Sequence, residues 1–137
     1  MSNLIKTWVV FFFLLLGVGA LSGCNTLADA KMAKGTGDFK VYPVASEQVW
    51  HAMADTVKSV GLDYVGENRQ EGYVLAQRGI SAFSYGEEVA IFITSLEGQK
   101  TRVEIVSKRA MATNIFAPDW SKKLFSALDA LYGSEIK

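Results

Sequence analysis

His51 is the single histidine of the chain and stands four residues after Glu47 and four before Asp55. On a helix this spacing places all three on one face. An imidazole flanked by carboxylates is a donor set that a divalent metal accepts. A closed zinc site needs four ligands, however, and a catalytic one needs three plus a water in a shaped pocket. Lys58 on the same face repels a cation. The competing reading is a solvated polar face with helix-spaced charge pairs; it is the one expected here, and no metal is assigned.

Other chemistry is sparser still. None of the serines at 81, 84, 95, 107, 121, 126 and 134 lies in a Gly-x-Ser-x-Gly elbow. Glu87 and Glu88 are neighbours, so on a strand they point to opposite faces and make no close acid–base pair. Gly35-Thr36-Gly37 lacks the preceding strand and third glycine of a dinucleotide loop. The residues therefore predict neither an enzyme nor a bound cofactor. Cys24 is the only cysteine, so no disulfide forms within the chain.

The surroundings of Cys24 give it a different chemistry. Met1 to Thr7 is a short polar start with one cation, Lys6, and Trp8 to Val18 is almost wholly apolar. As a helix those 11 residues span about 17 Å, short of the roughly 30 Å of a hydrocarbon core. A charged start followed by a 7–15-residue apolar run is the pattern of a secretory signal. Leu21-Ser22-Gly23-Cys24 follows. This segment resembles the lipobox of bacterial lipoproteins, in which two small residues enter a peptidase cleft and the thiol forms a thioether to diacylglycerol. The resemblance covers the first 24 residues. It implies cleavage between Gly23 and Cys24, acylation of the new amino group, and a stable membrane anchor, since each buried CH₂ contributes about 0.8 kcal/mol. Asn25 follows the cysteine where enteric-type bacteria place Asp for inner-membrane retention, so the expected location is the outer membrane, facing the periplasm.

The remainder of the 137-residue chain is enough for one small domain. With Lys6 removed, the 14 basic residues become 13 against 14 acidic ones, a net charge of −1. That balance lacks the basic excess of a nucleic-acid binder and gives no strong pull toward anionic head groups. The reading divides the chain into a signal over 1–23, the lipidated cysteine and a flexible tether over 24–37, and a single domain over 38–137. Fully extended, the 13 residues Asn25 to Gly37 reach about 45 Å. Ala28 to Lys34 is the one stretch in the tether that has a helical alternative.

Alternation and turn residues predict strands at Phe39–Tyr42, Leu62–Gly66, Tyr73–Gln77, Glu88–Leu96 and Thr101–Ser107. Helices are predicted over Ser46–Val60, with Ser46 as N-cap and Gly61 as terminator, and from Pro118 and Asp119 to Gly133. Their apolar stripes are Val49, Met53, Val57 and Val60 in the first, and Trp120, Leu124, Leu128 and Leu131 in the second, with Trp50 and Phe125 alongside. Arg102 and Glu104 alternate with Val103 and Ile105, which predicts a wet second sheet face. The order β-α-β-β-β-β-α and two amphipathic helices predict an α+β two-layer sandwich: an antiparallel four- to five-stranded sheet with both helices on one face.

Tyr42-Pro43-Val44, Val49-Trp50, Val60-Gly61-Leu62 and Thr101-Arg102-Val103 resemble a family of small uncharacterised bacterial lipoproteins over roughly Phe39 to Tyr132. The topology is also similar to the helix-grip domains of the C-type accessory lipoprotein of outer-membrane barrel assembly. The resemblance implies no catalytic residues. Two aromatic connections, Gly79–Gly86 and Arg109–Ala117, are longer than in that family. Phe83, Tyr85, Met111, Ile115 and Phe116 in them are the candidate partner-binding residues, the second group ringed by Lys108, Arg109, Lys122 and Lys123. The alternative for Ile115 and Phe116 is that they cap the core. The expected function is a membrane-anchored, non-enzymatic binding or scaffolding module of the cell envelope. The alternative is small-molecule or lipid binding in a groove between sheet and helices.

Overall fold

The computed structural model describes residues 26–80, 86–109 and 118–133. Its elements in chain order are α1 (Leu27–Met32), β1 (Asp38–Tyr42), α2 (Ser46–Ser59), β2 (Asp63–Asn68), β3 (Tyr73–Arg78), β4 (Glu87–Leu96), β5 (Lys100–Arg109) and α3 (Trp120–Tyr132). All five strands pair antiparallel in the order β1-β5-β4-β3-β2. This is the α+β architecture expected.

The long central hairpin sets the frame. β4 and β5 run in register from Glu87 opposite Arg109 to Leu96 opposite Lys100, closed by Glu97-Gly98-Gln99. α2 carries the chain across the sheet, so β1 and β2 form opposite edges. A register shift between Tyr64 and Gly66 bends β2 and interrupts that edge, which disfavours pairing with another chain.

Period-two alternation decides which side chains go where. On one face Val74, Ala76, Val89, Ile91, Ile93, Val103 and Ile105 meet Val49, Trp50, Met53 and Val57 of α2 and Trp120, Leu124, Phe125 and Leu128 of α3. Trp50 and Trp120 are core residues, as their stripes predict. Two details of the helices differ from expectation. Ala45, not Ser46, is the N-cap of α2, and it makes no side-chain capping bond. Pro118 precedes the N-cap of α3; Asp119 is the cap and accepts from the Lys122 amide at 3.2 Å. Leu131, expected in the apolar stripe, is exposed, because in the last turn Tyr132 takes the core-facing position, packed against the main core and edge-on to Tyr42.

The larger difference is on the second face. Residues 27–32, expected in a flexible tether, form α1, which packs on β3, β4 and β5. Ala30 is fully buried against Ala90, Phe92 and Val106, with Tyr73 and Leu75 at the margin. The described domain therefore begins at Thr26, and the face expected to be wet is covered in its middle by a third, short helix.

Candidate functional site

Six consecutive residues make a marginal helix in water, so α1 needs support at both ends. At its start Thr26 and Asp29 form a capping box: the Thr26 hydroxyl accepts from the Asp29 amide, and the Asp29 carboxylate accepts from the Thr26 amide at 2.7 Å. The Thr26 hydroxyl, which donates to the Asp29 carboxylate at 2.8 Å, and then the Thr26 amide hold that carboxyl below its usual range, and the charge of nearby Lys108 adds to them. Further along, Lys31 pairs with Glu71 at 2.7 Å and lies 4.5 Å from the Tyr73 ring centre, while Lys34 sits 5.5 Å from that of Phe92. The helix thus runs from the Glu88–Lys108 end of the sheet toward the β2–β3 turn.

The return to β1 is held by Glu104. Its side chain is fully buried on the second face, and it accepts from the amides of Gly35 at 2.5 Å and Gly37 at 3.2 Å and from Arg102 at 2.7 Å. Burial pushes the carboxyl up, but Arg102 and the two amides outweigh it, so the group stays below its ordinary value. Gly37 is required sterically: a Cβ there would lie 2.3 Å from the Ile105 carbonyl oxygen. Gly35-Thr36-Gly37, which lacks the features of a phosphate loop in the sequence, is here a cradle for a carboxylate of the chain itself.

Among the described residues, those singled out by sequence are not brought into a reactive cluster. His51 is exposed, 3.8 Å from Glu47, and Glu47 also meets Arg69 at 3.1 Å. Arg69 in turn bonds Glu67 and covers the Trp50 ring at 5.4 Å. Among the described residues no group of three or more His, Cys, Asp or Glu is placed to hold a metal. Glu87 is buried on the α2–α3 face and Glu88 half-buried on the α1 face; burial pushes the Glu88 carboxyl up. Gly23 and Cys24 lie outside the described residues, as do Phe83, Tyr85, Met111, Ile115 and Phe116. The described ends of the two aromatic connections are Ile80 and Gly86 for one, Arg109 and Pro118 for the other. They cluster at the sheet end where Arg78, Glu87 and Arg109 stand in register across three strands.

A polar cleft opens beside that end, between the α1–β1 turn, the last residues of β5 and the start of α3. Asp38 and Asp119 line it opposite Lys108 and Arg109, so its charges answer one another. Among the described residues no helix is long and apolar enough to cross a membrane. No protein-family model matches the chain, and no curated protein matches it.

Proposed function

We propose that the chain is a lipoprotein, anchored through Cys24 and acting as a non-enzymatic binding or scaffolding module of the bacterial envelope, at the periplasmic side of the outer membrane. The observation that carries the reading is Leu21-Ser22-Gly23-Cys24 directly after the apolar run Trp8 to Val18. The described domain reaches to the Thr26 cap of α1, two positions after the cysteine.

The address is tested by fractionating cells that express the full chain or Cys24→Ser. The native chain should sediment with membranes and carry the mass of a diacylglyceryl group on Cys24. The variant should lose both properties. A native chain recovered without lipid overturns the anchor. The binding role is tested by photo-crosslinking in cells from Phe83, Tyr85, Ile115 and Phe116, one position at a time. A discrete protein adduct identified by mass spectrometry supports a scaffold, and the lack of any protein adduct at all four positions overturns it.

A further inference from the structure

We infer that the domain is held in one orientation on its membrane, with the sheet end at which α1 begins turned toward the lipid head groups and the β4–β5 hairpin turn pointing away. This rests on the reading of Cys24 as the lipidated residue and adds to it which surface the leaflet meets.

Chain length sets the orientation. Two peptide links separate Cys24 from Thr26, and they reach at most about 7 Å. Thr26 has no freedom to add to that reach. It is bonded to Asp29 in the capping box, Ala30 is buried against Ala90, Phe92 and Val106, and the far side of the helix is fixed by Lys31 on Glu71 and by Glu104 on Gly35 and Gly37. A free tether from residue 25 to residue 37 would let the domain stand tens of ångströms off the bilayer and tumble. A docked α1 shortens the spacer to Asn25 alone and ties it to the Glu88–Lys108 end of the sheet, where Lys108 neighbours Asp29.

Strand direction turns this into two marked poles. Ile80 lies two residues beyond the end of β3 at the anchor-side end and is 81% exposed. Glu97 is exposed in the turn at the opposite end. The ten residues of β4 span about 33 Å between those ends, a separation larger than the range of contact quenching. An exposed isoleucine at the near pole is also the kind of side chain that head-group interfaces accept.

The test uses full-length chain, processed in cells and reconstituted into phosphatidylethanolamine–phosphatidylglycerol vesicles. Because Cys24 is occupied by lipid, Ile80→Cys and Glu97→Cys each supply one free thiol for a fluorophore, read against head-group spin-labelled lipid. Intact mass is measured first: absence of lipid on Cys24 overturns the anchor reading itself. With lipid present, quenching should be several-fold stronger at 80 than at 97. Equal quenching at the two positions overturns the orientation and leaves the anchor standing. A Gly-Ser insert of about ten residues between Asn25 and Thr26 adds a flexible reach of roughly 17 Å without touching α1. It should abolish the difference between the poles; a difference that survives the insert shows that the spacer does not set orientation and overturns the argument.

Discussion

Glu104 and Gly37 are 67 positions apart in the chain, and the Glu104 carboxylate accepts the Gly37 amide at 3.2 Å beneath the turn that joins α1 to β1. Together with the Gly35 amide and the Arg102 guanidinium, this contact closes the second face of the sheet. Glu104→Ala would leave Arg102 and two backbone amides, all partly buried, without their acceptor. Leaving such donors unpaired costs about 1–3 kcal/mol, read as a lower urea midpoint with an unchanged slope. Glu104→Gln, which keeps the shape and loses the charge, should cost less. The pH dependence has a defined sign. With the folded carboxyl held below its ordinary 4.5, the unfolded chain binds more protons near that pH. The contribution is complete above 4.5 and is lost as pH falls through the depressed value. The native domain should therefore lose more stability on acidification than Glu104→Gln does.

Gly37→Ala tests the same junction from the backbone. The added methyl would meet the Ile105 carbonyl oxygen at 2.3 Å and its carbon at 2.7 Å, with the Val106 side chain at 2.9 Å, and the two nearest atoms are strand backbone that cannot swing aside. The expected result is release of the α1–β1 turn, at a cost of about 1–3 kcal/mol. Hydrogen exchange should show it locally: amides in the last turn of α1 speed up, while those of the β4–β5 ladder hold. Uniform acceleration across both elements would mean that α1 and the sheet open as one unit.

What was legible in the sequence divides along the two faces of the sheet. Val89, Ile91 and Ile93 in β4, and Val103 and Ile105 in β5, alternate with enough contrast to place the main core, and Gly61, Pro43 and Gly133 punctuate the elements around it. The second face was harder because its signal is split. Ala90, Phe92 and Val106 alternate there too, but Arg102 and Glu104 on the same side read as solvent-facing. Their partners are backbone amides of Gly35 and Gly37, which no side-chain pattern advertises. α1 itself is six residues long, below the length at which helical periodicity carries weight; its clearest sign was the Thr26-x-x-Asp29 spacing, which resembles a capping box with Asp in place of Glu. The reading of Cys24 as the lipidated residue rests on the local sequence Leu21 to Cys24 alone, and these positions lie outside the described residues. Phe83, Tyr85, Met111, Ile115 and Phe116 lie outside the described residues.

Glu88 gives a stabilising substitution. Burial pushes its carboxyl up, although Lys108 stands opposite it in register. A raised acid binds its proton more tightly in the folded state, so stability falls as pH rises from 4.5 through the raised value, and the loss persists at neutral pH. Glu88→Gln removes the charge and keeps the shape. Its melting temperature at pH 7 should exceed that of the native chain by a few °C, and the two should converge near pH 4, where Glu88 is protonated in both states. A variant that melts lower at pH 7 would show that the pairing with Lys108 outweighs burial.

Tyr42 and Asp129 tie β1 to α3 across the edge of the main core. The buried Tyr42 hydroxyl donates to Asp129 at 3.0 Å, Lys40 holds the other carboxylate oxygen at 2.5 Å, and the Tyr42 ring meets Tyr132 edge-on at 6.2 Å. Tyr42→Phe keeps the ring packing and loses the hydrogen bond, so at pH 7 it should cost about 1.5–3 kcal/mol, the range for a bond to a charged acceptor. The alkaline limb gives the sharper test. Burial, and then the neighbouring Asp129 carboxylate, push the Tyr42 hydroxyl far above its ordinary value of 10.0. Above pH 10 the unfolded chain releases this proton while the folded chain keeps it, so the native domain loses stability as pH rises there. Tyr42→Phe has no such proton to lose. Its deficit should be constant between pH 6 and 9 and shrink above pH 10 in urea titrations. In the double variant with Asp129→Ala, the combined cost at pH 7 should fall short of the sum of the two single costs by about the size of the hydrogen bond. A coupling near zero would mean that Asp129 serves Lys40 alone.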